Sequence, residues 1–195
     1  MARRLSNVVG FDDAPFPRHA REVRLIGTVC ARTRLDGVLS SVVTRDGDDA
    51  TDRMIELVRG SHFDGHIQAV LLQGIAVAGF NVVDIHRLSE SLERPVLVVA
   101  RRAPNLEAIR QALERTGEGW DAKWRLIEAA GPMERLALPP RLLASEVWVQ
   151  RAGLDLVEAL DLCLVTNLHG ALPEPLRLAH LIAGGVTTGE SRGRA

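Results

Sequence analysis

The 195-residue chain has no tyrosine, a single lysine (Lys123), two cysteines and only 4% aromatic residues. Cys30 and Cys163 each sit in an apolar stretch, without a Cys or His neighbour at zinc-ligand spacing. That argues against a disulfide framework or a zinc site and leaves buried free thiols as the expectation. No apolar run approaches the length needed to cross a bilayer. The opening Met-Ala-Arg-Arg lacks the apolar stretch of a secretion signal, so a cytoplasmic location is the default expectation. No Gly-x-Gly-x-x-Gly follows a strand pattern and no Gly-Lys-Ser/Thr occurs, which weakens a dinucleotide or P-loop reading. Gly-x-Ser-x-Gly is missing too, and no Cys-His pair suggests covalent catalysis. The net charge of −1 gives no sign of a strong electrostatic grip on nucleic acid. The cations are nearly all arginine, which suits bidentate phosphate contacts. A genome-level codon bias produces the same skew.

What is present is ordinary globular material. Hydrophobic residues make up 46% and charged residues 25%, and the length suits one domain with a substantial core. The first third predicts three strands, at 7–11, 22–31 and 37–44, in an antiparallel meander. A helix follows at 50–59, with Met54, Ile55 and Val58 at helical spacing. Next come an apolar strand at 67–72, a helix at 84–93, another apolar strand at 95–100 and a helix at 104–116. Apolar strands alternating with helices indicate parallel strands covered on both faces. Residues 120–130, 154–166 and 173–182 read as helices and 147–149 as a strand. The tail at 189–195 has almost no apolar content and reads as a flexible or surface segment. The order fits an α/β ribonuclease-H-like mixed sheet.

Carboxylates gather where strands end. Asp12 and Asp13 close the first strand, where open α/β sheets collect ligand sites. Such a carboxylate can hold a hard cation, or the Asp-Ala-Pro sequence can cap a turn. Asp46, Asp48, Asp49 and Asp52 precede a helix and could contribute a second metal ligand or simply suit the helix dipole. Gln73 ends the central strand and could offer an amide oxygen. Arg101 and Arg102 end another strand and could clamp phosphate. Asn81 and Asp84 read as helix caps. His180, on the last helix beside Leu178, Leu181 and Ile182, reads by itself as a packed residue.

Several segments together carry a resemblance. They are Gly10-Phe11-Asp12-Asp13-Ala14-Pro15-Phe16, Leu35-Asp36-Gly37-Val38, Gly47-Asp48-Asp49-Ala50-Thr51, the run from Gln73-Gly74 through Gly79-Phe80-Asn81 to Asp84, Pro173-Glu174-Pro175-Leu176-Arg177-Leu178-Ala179-His180, and the tail Gly189-Glu190-Ser191-Arg192-Gly193-Arg194. In these the chain resembles the family called DUF99 or UPF0215, also labelled endonuclease dU, which is distantly similar to endonuclease V. The resemblance implies an endonuclease that hydrolyses phosphodiesters in uracil- or hypoxanthine-containing DNA, using Mg²⁺ or Mn²⁺. It implies Asp12 as the first metal carboxylate and Asp49 as the second, with Asp46 close behind. Gln73 falls where endonuclease V has an Asp-Gly metal ligand. His180 falls at the catalytic histidine, and Arg101 at a lysine. Asp36 and Gly37 occupy the place of a base-probing wedge, which the absence of tyrosine must alter. Arg102, Arg192 and Arg194 complete the expected nucleic-acid contacts. RNA stays open as a substrate. So do two other readings: a nucleic-acid- or nucleotide-binding protein that does not cut, and a small-molecule hydrolase.

Overall fold

Apolar, β-branched segments separated by short polar turns build the start of the sheet. In the computed structural model, which describes residues 5–139, 146–168 and 170–191, β1 (Asn7–Asp13), β2 (Glu22–Ala31) and β3 (Arg34–Thr44) form an antiparallel meander. β1 then pairs in parallel with β4 (Ala69–Gln73), and β4 with β7 (Val96–Ala100). β9 (Glu146–Ala152) runs antiparallel to β7, and β8 (Glu134–Ala137) antiparallel to β9. The seven strands lie in the order β3-β2-β1-β4-β7-β9-β8. The three-strand start and the strand–helix–strand middle are as the sequence pattern predicts.

Alternation along each strand divides the core into two faces. Val9, Phe11, Val70, Leu72, Val96 and Val98 face one side. There α1 (Ala50–Arg59) and α2 (Ile85–Leu92) bury Met54, Val58, Ile85 and Leu88. Val8, Leu71, Leu97, Val99, Val147 and Val149 face the other side. They are covered by α5 (Leu156–Thr166) and α6 (Glu174–Thr188). Cys30 and Cys163 are buried free thiols. No helix among the described residues is long and apolar enough to cross a membrane.

Three features depart from the sequence pattern. α6 runs on to Thr188, past the expected end at 182, because Gly184 and Gly185 lie under the returning Ser191. The Ser191 hydroxyl donates to the Leu181 carbonyl at 2.7 Å. β8 carries Glu134 and Arg135 and gives no apolar alternation. It is held as an edge strand by Arg151–Glu134 and Arg135–Glu146 ion pairs, and charge of this kind blunts a sheet edge. A small hairpin, β5 (Ala76–Val77) and β6 (Asn81–Val82), interrupts the stretch before α2. Behind it α3 (Leu106–Glu114) packs on α4 (Trp120–Ala129), with the Arg110 guanidinium 6.0 Å from the Trp120 ring and 5.7 Å from that of Trp124.

The contact that sets the position of α6 is backbone against backbone. A methyl group at Gly10 would stand 2.8 Å from the Pro175 carbonyl carbon and Cβ. Thr28, across the ladder from Gly10, donates its hydroxyl to the Pro175 carbonyl at 2.6 Å. Gly10→Ala should therefore push α6 off the sheet. Urea unfolding is expected to show a loss of about 1–3 kcal/mol, the usual size of an overpacking defect. A change within 0.5 kcal/mol, the size of a neutral substitution, would show that the helix seat is not rigid.

Candidate active site

The parallel pairing of β1, β4 and β7 brings their carboxyl ends to one edge of the sheet. The last parallel pair between β1 and β4 is Phe11–Leu72. One residue further on stand Asp12 and Gln73, side by side on the face covered by α6. α6 begins at Glu174 behind Pro173, with Arg177 paired to the buried Glu174 at 2.9 Å. Two turns into the helix, His180 places Nδ1 2.9 Å from the Asp12 carboxylate. The contact joins residues 168 apart in sequence. An ionised carboxylate only accepts, so Nδ1–H donates and Nε2 is the ring nitrogen left for other chemistry.

The electrostatics of this corner are strained. The Asp12 side chain is only 10% exposed. Burial and the neighbouring Asp13 carboxylate push its carboxyl up to about 6, against the pull of the His180 hydrogen bond. Asp13 is raised too, first by burial, while the Ala78 backbone N–H opposes the shift. Beside Asp12, the Gln73 Oε1 atom is buried without a hydrogen-bond partner. An unsatisfied buried acceptor costs on the order of 1–3 kcal/mol. A crowded carboxylate and an orphaned amide oxygen on one face are the donor set that suits a hard cation.

The acidic cluster before α1 has a different occupation. The Asp49 carboxylate accepts from the Thr44 backbone N–H at 3.0 Å, the Thr44 hydroxyl at 3.1 Å and the Asn81 amide at 2.7 Å. Partial burial opposes its ionisation, but these bonds outweigh it and hold the carboxyl below its ordinary range. Asp46, with φ of 52°, accepts from the Phe80 N–H at 2.8 Å and pairs with Arg45, while Lys123 donates to its carbonyl. Burial again opposes ionisation, and the Phe80 and Arg45 bonds again prevail. Among the described residues no three His, Cys, Asp or Glu side chains gather as a metal-holding group. Asp12 and His180 are brought together, and Asp49 and Asp46 are committed to the hairpin.

The other expected contacts are spread out. Arg101 and Arg102 follow β7 at the same sheet edge and are exposed. Asp36 and Gly37 lie near the other end of the meander, where Asp36 pairs with Arg34 at 2.7 Å and Gly37 backs onto the Phe63 ring. Arg192 and Arg194 lie outside the described residues. Asp84 caps α2 through the Arg87 N–H at 3.0 Å. Asn81 caps a helix too, but it is α1: its Oδ1 accepts from Ala50 N–H at 3.0 Å, 31 residues away. Its amide also donates to the Thr44 carbonyl and Asp49. Thr28 and Asn81 are the positioning residues that sequence spacing alone does not reveal, since both act across long separations.

A twisted mixed sheet that opens with an antiparallel meander, then turns parallel, defines a ribonuclease-H-like protein. Endonuclease V of Ciona intestinalis, solved with inosine-containing DNA, shares this fold with a TM-score of 0.59, at 12% identity over 90% of this chain and 83% of that one. The chain itself belongs to the endonuclease dU family, whose model matches residues 4–187. A UPF0215 protein of Deinococcus radiodurans is 52% identical over 98% of this chain and 94% of its own length. A crystal structure of a protein of unknown function from Archaeoglobus fulgidus superposes with a TM-score of 0.82, at 34% identity, covering 93% of this chain and 98% of that one.

The raised Asp12 carboxyl has a measurable consequence. Its unfolded value is the ordinary 3.8 and its folded value about 6. Between these the folded state holds the extra proton, so stability from this group falls as pH rises through that window and stays low above it. Asp12→Asn removes the ionisation cost and keeps an acceptor for His180. By urea unfolding the variant should be more stable than wild type at pH near 7.5 by on the order of 1–2 kcal/mol, and not at pH near 4. Equal stability at both values would mean that Asp12 is not strained.

Proposed function

We propose that the protein is a divalent-metal-dependent endonuclease that cuts DNA at deaminated bases, uracil or hypoxanthine. The observation that carries this reading is the Asp12–His180 contact at 2.9 Å, set beside the orphaned oxygen of Gln73. Family membership and the endonuclease V fold support it. Asp12 and Gln73 would hold Mg²⁺ or Mn²⁺, while Asp49, the second carboxylate that the resemblance implies, is taken up by Thr44 and Asn81 instead. A bound divalent ion supplies an activated water and charge stabilisation at the phosphate.

The chain's own groups do the rest. Asp12 orients the His180 ring through Nδ1. That leaves Nε2 to hold the attacking water or pass a proton at the scissile phosphate. Burial of Asp12 keeps bulk water from competing for its oxygens. Arg101 and Arg102, exposed at the same edge, would bind backbone phosphates on either side. The scarcity of lysine fits local bidentate contacts better than a diffuse charge field. Asp36 and Gly37, at the other end of the meander, would contact the strand further from the cut, and Arg192 and Arg194 are further nucleic-acid contacts that the resemblance implies.

End-labelled DNA with one deoxyuridine or deoxyinosine, incubated with the protein and Mg²⁺ or Mn²⁺, tests this directly. A specific nick is expected, abolished by EDTA. It should fall at least about 100-fold in Asp12→Ala and about 10- to 100-fold in His180→Ala. Nicking that survives Asp12→Ala would refute the assignment. Retained DNA binding with no nick would favour a binding protein.

Gln73 gives a second test through metal affinity alone. A carboxylate adds ligand charge, so Gln73→Asp should tighten Mn²⁺ binding by about tenfold in calorimetry. Equal affinities would remove Gln73 from the metal site.

A further inference from the structure

Cationic side chains are spread unevenly over a chain whose net charge is only −1. In much of the protein arginines are matched to carboxylates: Arg53 to Glu56, Arg87 to Asp52, Arg94 to Asp64 and Arg151 to Glu134. The connection from β1 to β2 breaks this pattern. It carries Arg18 and Arg21, and β2 opens with Arg24, against one acid, Glu22, between positions 18 and 24. All three arginines are exposed. Among the described residues no carboxylate pairs with Arg18 or Arg21. Arg24 donates to the Ser40 hydroxyl at 3.1 Å, an uncharged partner that orients its guanidinium.

The backbone of this connection is fixed. Pro15 and Pro17 restrict its entry. The Ala20 N–H donates to the Pro17 carbonyl at 3.0 Å, and the Arg45 and Ala14 N–H groups hold the Arg21 and Arg24 carbonyls at 2.8 and 2.9 Å. On its inner side Pro15, Pro17 and Arg24 line a groove of about 410 Å³ with Val186 and Thr187 of α6, the helix that carries His180. Asp12 lies opposite Ile26 and Asp13 opposite Leu25, so the connection rises from the same sheet edge as the candidate active site. The strand order puts β2 on one side of β1, and β4 and β7 on the other. Arg101 and Arg102 follow β7. Cationic groups therefore flank Asp12 on both sides. At the usual strand spacing, β2 to β7 is about 15 Å, or roughly four nucleotides at the 3.4 Å rise of a duplex strand.

We propose that Arg18, Arg21 and Arg24 form a phosphate-binding platform along which one arm of the nucleic acid leaves the Asp12–His180 site, on the side away from Arg101 and Arg102. The proposal rests on the nuclease reading for its choice of ligand. Guanidinium groups match phosphate oxygens in a bidentate fork. A fixed backbone presents them without a further ordering cost. Such contacts position a strand and carry no base preference.

The test reads charge, not cutting. A labelled 24-base-pair duplex with one central deoxyuridine is titrated with the full-length protein in EDTA, at several NaCl concentrations, by fluorescence anisotropy. Each lost phosphate contact makes the plot of log affinity against log salt shallower by about 0.9. Arg18→Gln/Arg21→Gln should therefore lower the slope by about 2 and weaken binding at every concentration, with circular dichroism confirming the fold. Arg53→Gln/Arg87→Gln removes the same charge from the helices on the other face and should leave the slope unchanged. Shortening the duplex from the end that lies over the platform should bring wild type and the Arg18/Arg21 variant together, whereas shortening the other end should not. An unchanged slope in the Arg18/Arg21 variant would overturn the proposal. So would an equal fall in both variants, which reports overall charge, or a difference that survives shortening from either end. Salt-dependent binding with the expected slopes but no nicking in Mg²⁺ or Mn²⁺ would support the platform while refuting the catalytic reading. Nicking with an unchanged slope would refute the platform alone.

Discussion

Helix α6 can lie flat on β1 only because position 10 carries no side chain. Gly10 lets the Pro175 backbone approach, and the Thr28 hydroxyl fixes the Pro175 carbonyl from the neighbouring strand. These two contacts set both the height and the rotation of the helix. His180 then falls over Asp12 as a matter of helix geometry, because five residues after Pro175 is about one and a half turns. The arrangement depends on a seat made at the helix start, far along the chain from the carboxylate it serves. It also explains why Asp12 is so thoroughly covered: the helix that delivers the histidine is the one that shuts out water.

The two faces of this sheet edge differ in character. On the α6 face are a buried carboxylate, a histidine and an amide oxygen without a partner. On the other face is an apolar cavity enclosed by the β5–β6 hairpin and the α3–α4 pair. Asp46, Asp49 and Asn81 hold the hairpin in place through hydrogen bonds that reach back to the end of β3 and the start of α1. An acidic cluster that looks like chemistry in the sequence is therefore occupied with shaping a wall. Lys123 adds to the same anchorage by donating to the Asp46 carbonyl.

Much of the fold was legible because the strands carry strong patterns. The apolar runs of β4 and β7 marked parallel, doubly covered strands, and the bounds of α1 matched its periodicity. The β5–β6 hairpin leaves no pattern in the sequence, because two-residue strands are too short to have a period. β8 leaves none either, because an edge strand opening on two charged residues lacks an apolar alternation. The far end of α6 was cut short by Gly184-Gly185, which lower helix propensity but make room for the returning Ser191. At the site, residue type alone left Asp12 open between ligand and turn, and read His180 as a packed residue. Only the resemblance joined them, since nothing in local spacing links positions 168 apart. In the sequence Gln73 stands out only for lacking a charge. That its oxygen is buried and unpaired is a property of the folded chain.

The proposed function requires Asp12 and Gln73 together to hold a divalent ion under His180. Anomalous diffraction from a crystal soaked in Mn²⁺ tests it most directly. One strong peak is expected in contact with both the Asp12 carboxylate and the Gln73 Oε1 atom, absent from crystals of Asp12→Ala. A well-occupied Mn²⁺ elsewhere on the protein, with Gln73 Oε1 still lacking a partner, would contradict it.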